Sequence, residues 1–470
     1  MSILMIMAFV IYAFTLIGIG YYFSKKAASS SGFILGERST NYWVTAIALQ
    51  ASDMSHWLFL GLPAVVYAFG LVRLWEAVGL VSFMFLSWHF IAPKIRVATE
   101  KYKALTLFSY FEKRFNDHSG IIRLLSAIIS VIFLTFYVSS GLVALGRLFE
   151  NTFGISYTWG MVLGLAITVI YTLVGGFVAV AWCDFFQGLF AVAMIILVPS
   201  VAYFAIGGWE SIATAAAQKG VSLSIVPATA SLGSILALIF TWGPGYFGQA
   251  QLISFFMGID DPKKIKYAKY VGLTWQIIVL LFAIFLGLVG IAYFNTAADG
   301  QLIYILLTKK LFAPFVAGFV LCAILAVTLS TLDTQVLSVG AVFAEDIYHK
   351  LLHKKASSDA VLWISRLFSI AVCMVAIFIA LDDSKTIYDL VNYAWAGMGS
   401  AFGPLTIASL YSKKVNKYGA IAGIITGAAV SGAWYILDNI LKIGLVPLIP
   451  GFISSALAIY LVSHITRKKA

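Results

Sequence analysis

Charged residues are scarce in this chain. Asp, Glu, Lys and Arg make up 11% of its 470 residues, against 61% that are hydrophobic. The mean hydropathy of +0.96 lies outside the range of soluble globular proteins and inside that of polytopic membrane proteins. Cysteine is nearly missing as well. Cys183, Cys322 and Cys373 all fall within apolar runs, which excludes a disulfide scaffold and offers no metal-ligand spacing. Also lacking is any pattern of nucleophile, base and oxyanion donor, so the chain does not read as an enzyme and no cofactor is expected. The stretch Met1 to Phe23 has neither the basic start nor the small-residue cleavage site of a signal peptide and reads as a retained first helix.

What is abundant is apolar sequence of spanning length. Such runs fall at 3–23, 42–69, 72–93, 122–147, 157–175, 178–206, 231–256, 270–294, 313–343, 361–381, 388–411, 418–438 and 445–465, about thirteen membrane spans. The net charge of +11 would suggest nucleic acid in a soluble protein, but here its distribution explains it. Basic residues gather in alternate connections: Lys25, Lys26 and Arg38; Lys94 to Arg123; Lys263 to Lys269; Lys350 to Arg366; Lys413 to Lys417; and Arg467 to Lys469. The positive-inside rule makes these cytoplasmic, with the N-terminus outside and the C-terminus inside. The partner implied is a lipid bilayer, with no nucleic acid. The basic stretch from Lys94 to Gly120, where Lys103, Lys113 and Arg114 stand among aromatics, is expected to face solvent or headgroups.

Three carboxylates lie where they are expensive. Asp53 sits in Gln50 to Trp57, inside the run 42–69, beside Ser52, Ser55 and His56. An ionised Asp near the centre of a bilayer costs at least about 2.5 kcal/mol, so it needs a cation, a proton or donors around it. A run so crowded with polar groups is a poor continuous helix and reads as an unwound, ion-binding middle. Asp184 follows Trp182 and Cys183 in the sixth run; a helix end near Gly175 and Gly176 is the alternative reading. Asp333 stands in the ninth run beside Thr328, Ser330, Thr331 and Thr334. A second break is expected at Thr241 to Tyr246, where two glycines flank Pro244.

Five spans follow the first break, over 42–206, and five follow the second, over 231–411. An odd repeat length inverts the second copy. The predicted fold is therefore an all-α membrane bundle of two inverted five-helix repeats, the LeuT-type 5+5 arrangement. The helix at 3–23 precedes the repeats, two peripheral helices at 418–465 follow them, and the whole chain, 1–470, forms one transporter domain.

The motifs ILGERS (Ile34 to Ser39), ASDMSHW (Ala51 to Trp57), GGFVAVAWCD (Gly175 to Asp184), GYFGQ (Gly245 to Gln249), AILAVTLSTL (Ala323 to Leu332), EDIY (Glu345 to Tyr348) and YAWAG (Tyr393 to Gly397) resemble the sodium/solute symporter family, closest to its bacterial proline-carrying members. The resemblance covers nearly the whole chain. It implies sodium-coupled import of a small amino acid, with proline leading, across a bacterial plasma membrane. It implies a sodium site from the carbonyls of Ala51, Met54 and Val327 with the hydroxyls of Ser330 and Thr331, coupling roles for Asp53 and for Arg38 at an inner gate, and substrate contacts at Ser55, His56, Tyr137, Trp242, Tyr246 and Gln249. Hard cations favour such oxygen ligands. Asp184 and Asp333, with Thr334, are expected to approach one another and to share either a proton or a second sodium. Departures from the proline carriers concern the solute: His56 replaces a glycine, Gly248 to Leu252 reads GQAQL where they have GQPHI, and Phe255 replaces an arginine. Other solutes of such carriers (a sugar, sialic acid, pantothenate) stay open as alternatives, as does a transporter-like sensor, which the short tail after Tyr460 disfavours.

Overall fold

The computed structural model describes residues 3–23, 30–294, 299–382 and 386–467; Lys25, Lys26, Lys468 and Lys469 of the basic connections lie outside them. Helix covers every predicted apolar run: α1 (Ile3–Phe23), α2 (Tyr42–Met54), α3 (Gly61–Phe69), α4 (Leu74–Leu86), α5 (Ile121–Phe153), α6 (Tyr157–Ala205), α7 (Leu232–Phe240), α8 (Ala250–Gly258), α9 (Ile265–Tyr293), α10 (Pro314–Ala341), α11 (Ser358–Ala380), α12 (Ile387–Tyr411), α13 (Lys417–Leu441) and α14 (Leu448–Ile465). Among the described residues nine helical stretches are long and apolar enough to cross a membrane by length and composition. Outside the helices, the only pairing of extended backbone among those residues is a parallel bridge between Thr40 and Ile259.

Both expected breaks are present. The first falls at Ser55, whose backbone (φ 51°, ψ −173°) ends α2, and whose hydroxyl accepts from the Trp57 N–H at 3.2 Å before α3 begins. A non-glycine residue at positive φ is costly, and local side-chain bonding of this kind offsets part of that cost. The second falls between α7 and α8, where Gly243–Phe247 forms a single tight turn. Gly245 is required there: a Cβ would stand 2.0 Å from the Trp395 indole nitrogen. A third irregularity, Gly176 (φ 61°, ψ −169°), divides α6 into two arms, so that one continuous helical stretch supplies two predicted spans.

Packing places the breaks at the centre. The helix α6 lies against α1, α2 and α10, while α10 also contacts α2, α5 and α11. α12 packs on the Gly243–Phe247 turn and on α5. α13 and α14 pair mainly with each other and with α12, as expected of peripheral helices. The three cysteines are buried and free.

The Lys94 to Gly120 connection exposes Lys94, Lys101, Lys103 and Lys113 as expected, and the expectation is corrected at its apolar face and at Arg114. Its helix Leu107–Arg114 buries Leu107 to Glu112 rather than facing solvent or headgroups. Arg114 donates to the carbonyls of Ser409 and Ser412, both at 2.9 Å, so its charge caps the end of α12. Behind it Arg123, 4% exposed, holds three acids: Glu112 at 3.2 Å, Glu345 at 3.3 Å and Asp346, which also accepts from Thr106 at 2.9 Å. This cluster ties α5 to the segment after α10. Removing one partner of a buried ion pair leaves the others uncompensated, at a cost of about 3–5 kcal/mol. Arg123→Met is therefore expected to lower the yield of folded protein and its unfolding temperature in detergent sharply. Lys103→Met, a surface change in the same connection, serves as the control and should leave both within error.

Candidate functional site

The ninth run brings its hydroxyls to the first break. Ser330 donates to the Ala51 carbonyl at 3.1 Å and Thr331 to the Ser52 carbonyl at 2.9 Å, and both also reach the Val327 carbonyl, at 3.1 and 3.0 Å. Of the residues that the resemblance names for sodium, Ala51, Val327, Ser330 and Thr331 thus converge. Met54 ends α2 beside them and lines the neighbouring cavity. The Ser52 carbonyl is an added member that sequence reasoning did not single out. This group of carbonyls and hydroxyls, all buried, is of the kind that holds a hard monovalent cation without excess charge.

Ser52 also faces the other way. Its hydroxyl donates to Asp184 at 2.8 Å and lies 3.0 Å from the Thr334 hydroxyl, which reaches Asp184 at 3.3 Å and Asp333 at 3.4 Å. The Thr334 hydroxyl thus bridges Asp184 and Asp333. The approach of the two acids is as expected. Asp184 is fully buried, two turns past the Gly176 kink, which removes the reading of it as a helix-end residue.

Between the two breaks lies a small cavity of about 20 Å³, lined by Asp53, Met54, Ser55, Trp57, Leu80, Tyr137, Trp242, Val391 and Trp395. Trp242 stands edge-on to Trp57 at 5.4 Å and to Trp395 at 6.3 Å, and the Trp395 indole donates to the Trp242 carbonyl at 2.8 Å. The space holds about one water, so a solute is admitted only when part of the aromatic wall moves. Ser55, Tyr137 and Trp242 therefore stand where a solute contact is expected.

Three expected solute contacts stand elsewhere. Tyr246 donates to Asp53 at 2.7 Å and accepts from Gln276 at 3.1 Å, so its hydroxyl joins the two breaks instead of facing the cavity. Gln249 donates to the Trp395 carbonyl at 3.0 Å and accepts from Gln251, holding the wall from behind. His56 is buried outside the lining, and neither ring nitrogen has a hydrogen-bond partner among the described residues. Trp57, Leu80, Val391, Trp395 and Gln276 were not singled out. Trp57 and Trp395 lie within the quoted motifs, whereas Leu80, Val391 and Gln276 sit in long apolar helices that give no local signal.

Just ahead of α2, Arg38 donates to the carbonyls of Met257 at 2.6 Å and Ala104 at 3.0 Å and to the Thr99 hydroxyl at 3.3 Å. Burial, and then the nearby Arg96 charge, lower its guanidinium to about 10, so it stays protonated at neutral pH. Thr40 adds a bond to the Gly258 carbonyl at 2.7 Å, and Arg96 one to the Ile259 carbonyl at 2.8 Å. The start of α2 is thereby stitched to the end of α8, which closes the path below the cavity.

The sequence profile of the Sodium:solute symporter family matches residues 33–427. The chain is 40% identical over 475 residues to the osmoregulated proline transporter OpuE of Bacillus subtilis (strain 168), covering 100% of this chain and 96% of that one. It is 39% identical to the high-affinity proline transporter PutP of the same organism, over 96% of this chain and 95% of the relative. Among solved structures, a Na+-coupled sialic acid symporter in a substrate-bound outward-open state superposes with a TM-score of 0.82 at 20% identity, over 99% of this chain and 98% of that one. MhsT in complex with L-phenylalanine gives 0.58 at 11% identity, over 91% and 97%. These likenesses show the LeuT-type fold.

Asp53 is reached by the Tyr246 hydroxyl, and a buried carboxylate that loses such a donor costs about 1–3 kcal/mol. Tyr246→Phe should lower unfolding stability in detergent by that amount. Gln276→Met, one bond further out, removes a buried amide oxygen that has no partner among the described residues and should cost less. Equal losses in the two variants would show that the link to Asp53 carries no special weight.

Proposed function

The chain belongs to the Sodium:solute symporter family, and from that premise we propose that it imports proline together with sodium across a bacterial plasma membrane, by alternating access. It is a multi-pass membrane protein and a secondary transporter, not an enzyme. The observation that carries the reading is the double role of Ser52, whose carbonyl belongs to the oxygen group of Ser330 and Thr331 while its hydroxyl belongs to Asp184.

In this reading sodium takes the oxygens of Ala51, Ser52, Val327, Ser330 and Thr331, with Met54 adjacent. The cation replaces hydroxyl-to-carbonyl hydrogen bonds that already join α10 to α2, so binding draws the two helices onto one point. That fixes the backbone next to Ser55 and Asp53, and with it the floor of the cavity. The solute carboxylate faces the N–H groups that open α3, and the pyrrolidine ring packs among Trp57, Tyr137, Trp242 and Trp395. Such an aromatic wall with few polar groups favours a small zwitterion over a sugar, which needs many hydroxyl partners. Arg38 closes the inner side until sodium and solute are both bound. The repeats are assigned to 42–206 and 231–411, within thirteen spans with the N-terminus outside.

For the second pair of acids, the Thr334 hydroxyl that bridges the buried Asp184 and Asp333 brings two carboxylates near one another, which favours a shared proton over a second sodium because two bare carboxylates repel. One sodium moving down a tenfold gradient and 100 mV supplies about 3.7 kcal/mol, enough for roughly 500-fold accumulation of proline.

Proline uptake into proteoliposomes driven by an imposed sodium gradient tests the reading; uptake that ignores sodium, or that proline does not elicit, would overturn it. The charge moved per proline should be one in the wild type and in Asp333→Asn. A ratio of two, falling to one in the variant, would place a second sodium at Asp333. Trp242→Ala should raise the apparent proline constant at least about tenfold, since 1.4 kcal/mol is little for a buried aromatic.

A further inference from the structure

Above the cavity, on the side away from Arg38, stands a carboxylate that the symport reading leaves without a role. Glu76 lies in the first turn of α4 and is fully buried. A charge so placed persists only with donors on its oxygens. One oxygen takes Arg73, in an ion pair one turn back on the same chain segment. The other accepts from the Trp242 indole at 3.3 Å. The Trp242 and Tyr388 rings meet edge-on at 5.3 Å.

These contacts join three separate elements: α4 of the first repeat, the second break, and the start of α12. Beyond them, a cavity of about 280 Å³ lined by Arg73, Tyr388, Asp389, Gln301 and Phe69 opens outward. Tyr388 lines that outer space and Trp242 the central cavity, so the pair of touching rings stands between the two, and Glu76 is what the Trp242 indole N–H is fixed to. We propose that Glu76 is a positioning residue for the outer roof of the solute site, fixing the Trp242 indole, and through it Tyr388, over the bound solute; the assignment rests on the symport reading.

Arg73 gives the arrangement its second state. Its guanidinium is partly exposed and stacks on Phe69 at 4.4 Å, so it can leave Glu76 for solvent when the roof lifts. Glu76, with no solvent access, stays with α4. The roof then opens by parting Trp242, and Tyr388 with it, from a fixed acceptor, and it closes by returning to it.

The test reads access to the cavity rather than transport. The native cysteines are at most 1% exposed, so Leu80→Cys supplies one reactive thiol in the cavity wall. In right-side-out vesicles a membrane-impermeant maleimide should label Leu80→Cys several-fold more slowly with sodium and proline present than with sodium alone. Adding Glu76→Leu should abolish that protection, and adding Glu76→Gln, which keeps an acceptor for the indole, should restore part of it. Trp242→Phe, which keeps the ring and loses the N–H, should match Glu76→Leu, and the two together should do no more than either alone. Undiminished protection in Glu76→Leu, or additive effects of Glu76→Leu and Trp242→Phe, would overturn the positioning role. Absence of protection in the Leu80→Cys background itself would instead overturn the symport reading beneath it.

Discussion

Backbone interrupted inside a membrane has to find partners for its carbonyls and N–H groups, because lipid provides none. At Ser55 the chain gives up helical bonding in the interior of the bundle, and the structure answers with the hydroxyls of Ser330 and Thr331, which turn toward Ala51 and Ser52. Everything else in the centre follows from that arrangement. α10 has to carry hydroxyls on the face toward α2, the two helices have to lie side by side, and the carbonyls exposed by the break have to point where a cation can use them. In the proposed reading, a structural need and an ion site are met by the same atoms. A helix that ran straight through Ser55 would need neither.

The second break is bound into the same system through Asp53 and Tyr246, which link α2 to the Gly243–Phe247 turn. Around this link lie three groups of contacts: the Arg38 bonds to backbone carbonyls, a small aromatic cavity, and the Trp242 bond to Glu76. Each group consists of a few bonds to backbone carbonyls or to one carboxylate, which are cheap to exchange individually, while the helices that carry them stay packed. Motion of the wall relative to a fixed ion site is then the natural mode of the bundle, consistent with rocking of repeats about a midplane site.

Much of this was legible before any coordinates. The cost of a carboxylate in lipid marks Asp53, Asp184 and Asp333, and the clustering of hydroxyls marks Ser330, Thr331 and Thr334. The glycines around Pro244 announce the second break. What was not legible has specific causes. His56, Tyr246 and Gln249 neighbour the breaks in sequence, but a tight turn rotates successive side chains away from one another, so adjacency in the chain did not mean adjacency to the cavity. Glu76 and Gln276 lie in apolar helices and gain a role only through partners on other elements, Trp242 for Glu76 and Tyr246 for Gln276. The Lys94 to Gly120 connection misled because a basic residue beside aromatics reads as headgroup-facing, while Arg114 spends its charge on carbonyls at the end of α12. The proline departures Ala250 and Phe255 stand outside the central cavity: with Gln251 and Thr334 they line a second one of about 40 Å³, and Phe255 also packs on Phe177 at 5.4 Å.

The central claim is that the hydroxyls joining α10 to the broken α2 are the sodium ligands. It is tested most directly by the sodium dependence of proline uptake in proteoliposomes for wild type and Thr331→Val, which keeps the shape of the side chain and removes its oxygen. The account predicts a sodium constant raised by tenfold or more in the variant, with the proline constant close to wild type once sodium is saturating. An unchanged sodium constant, or a proline constant that rises while the sodium constant does not, would contradict it.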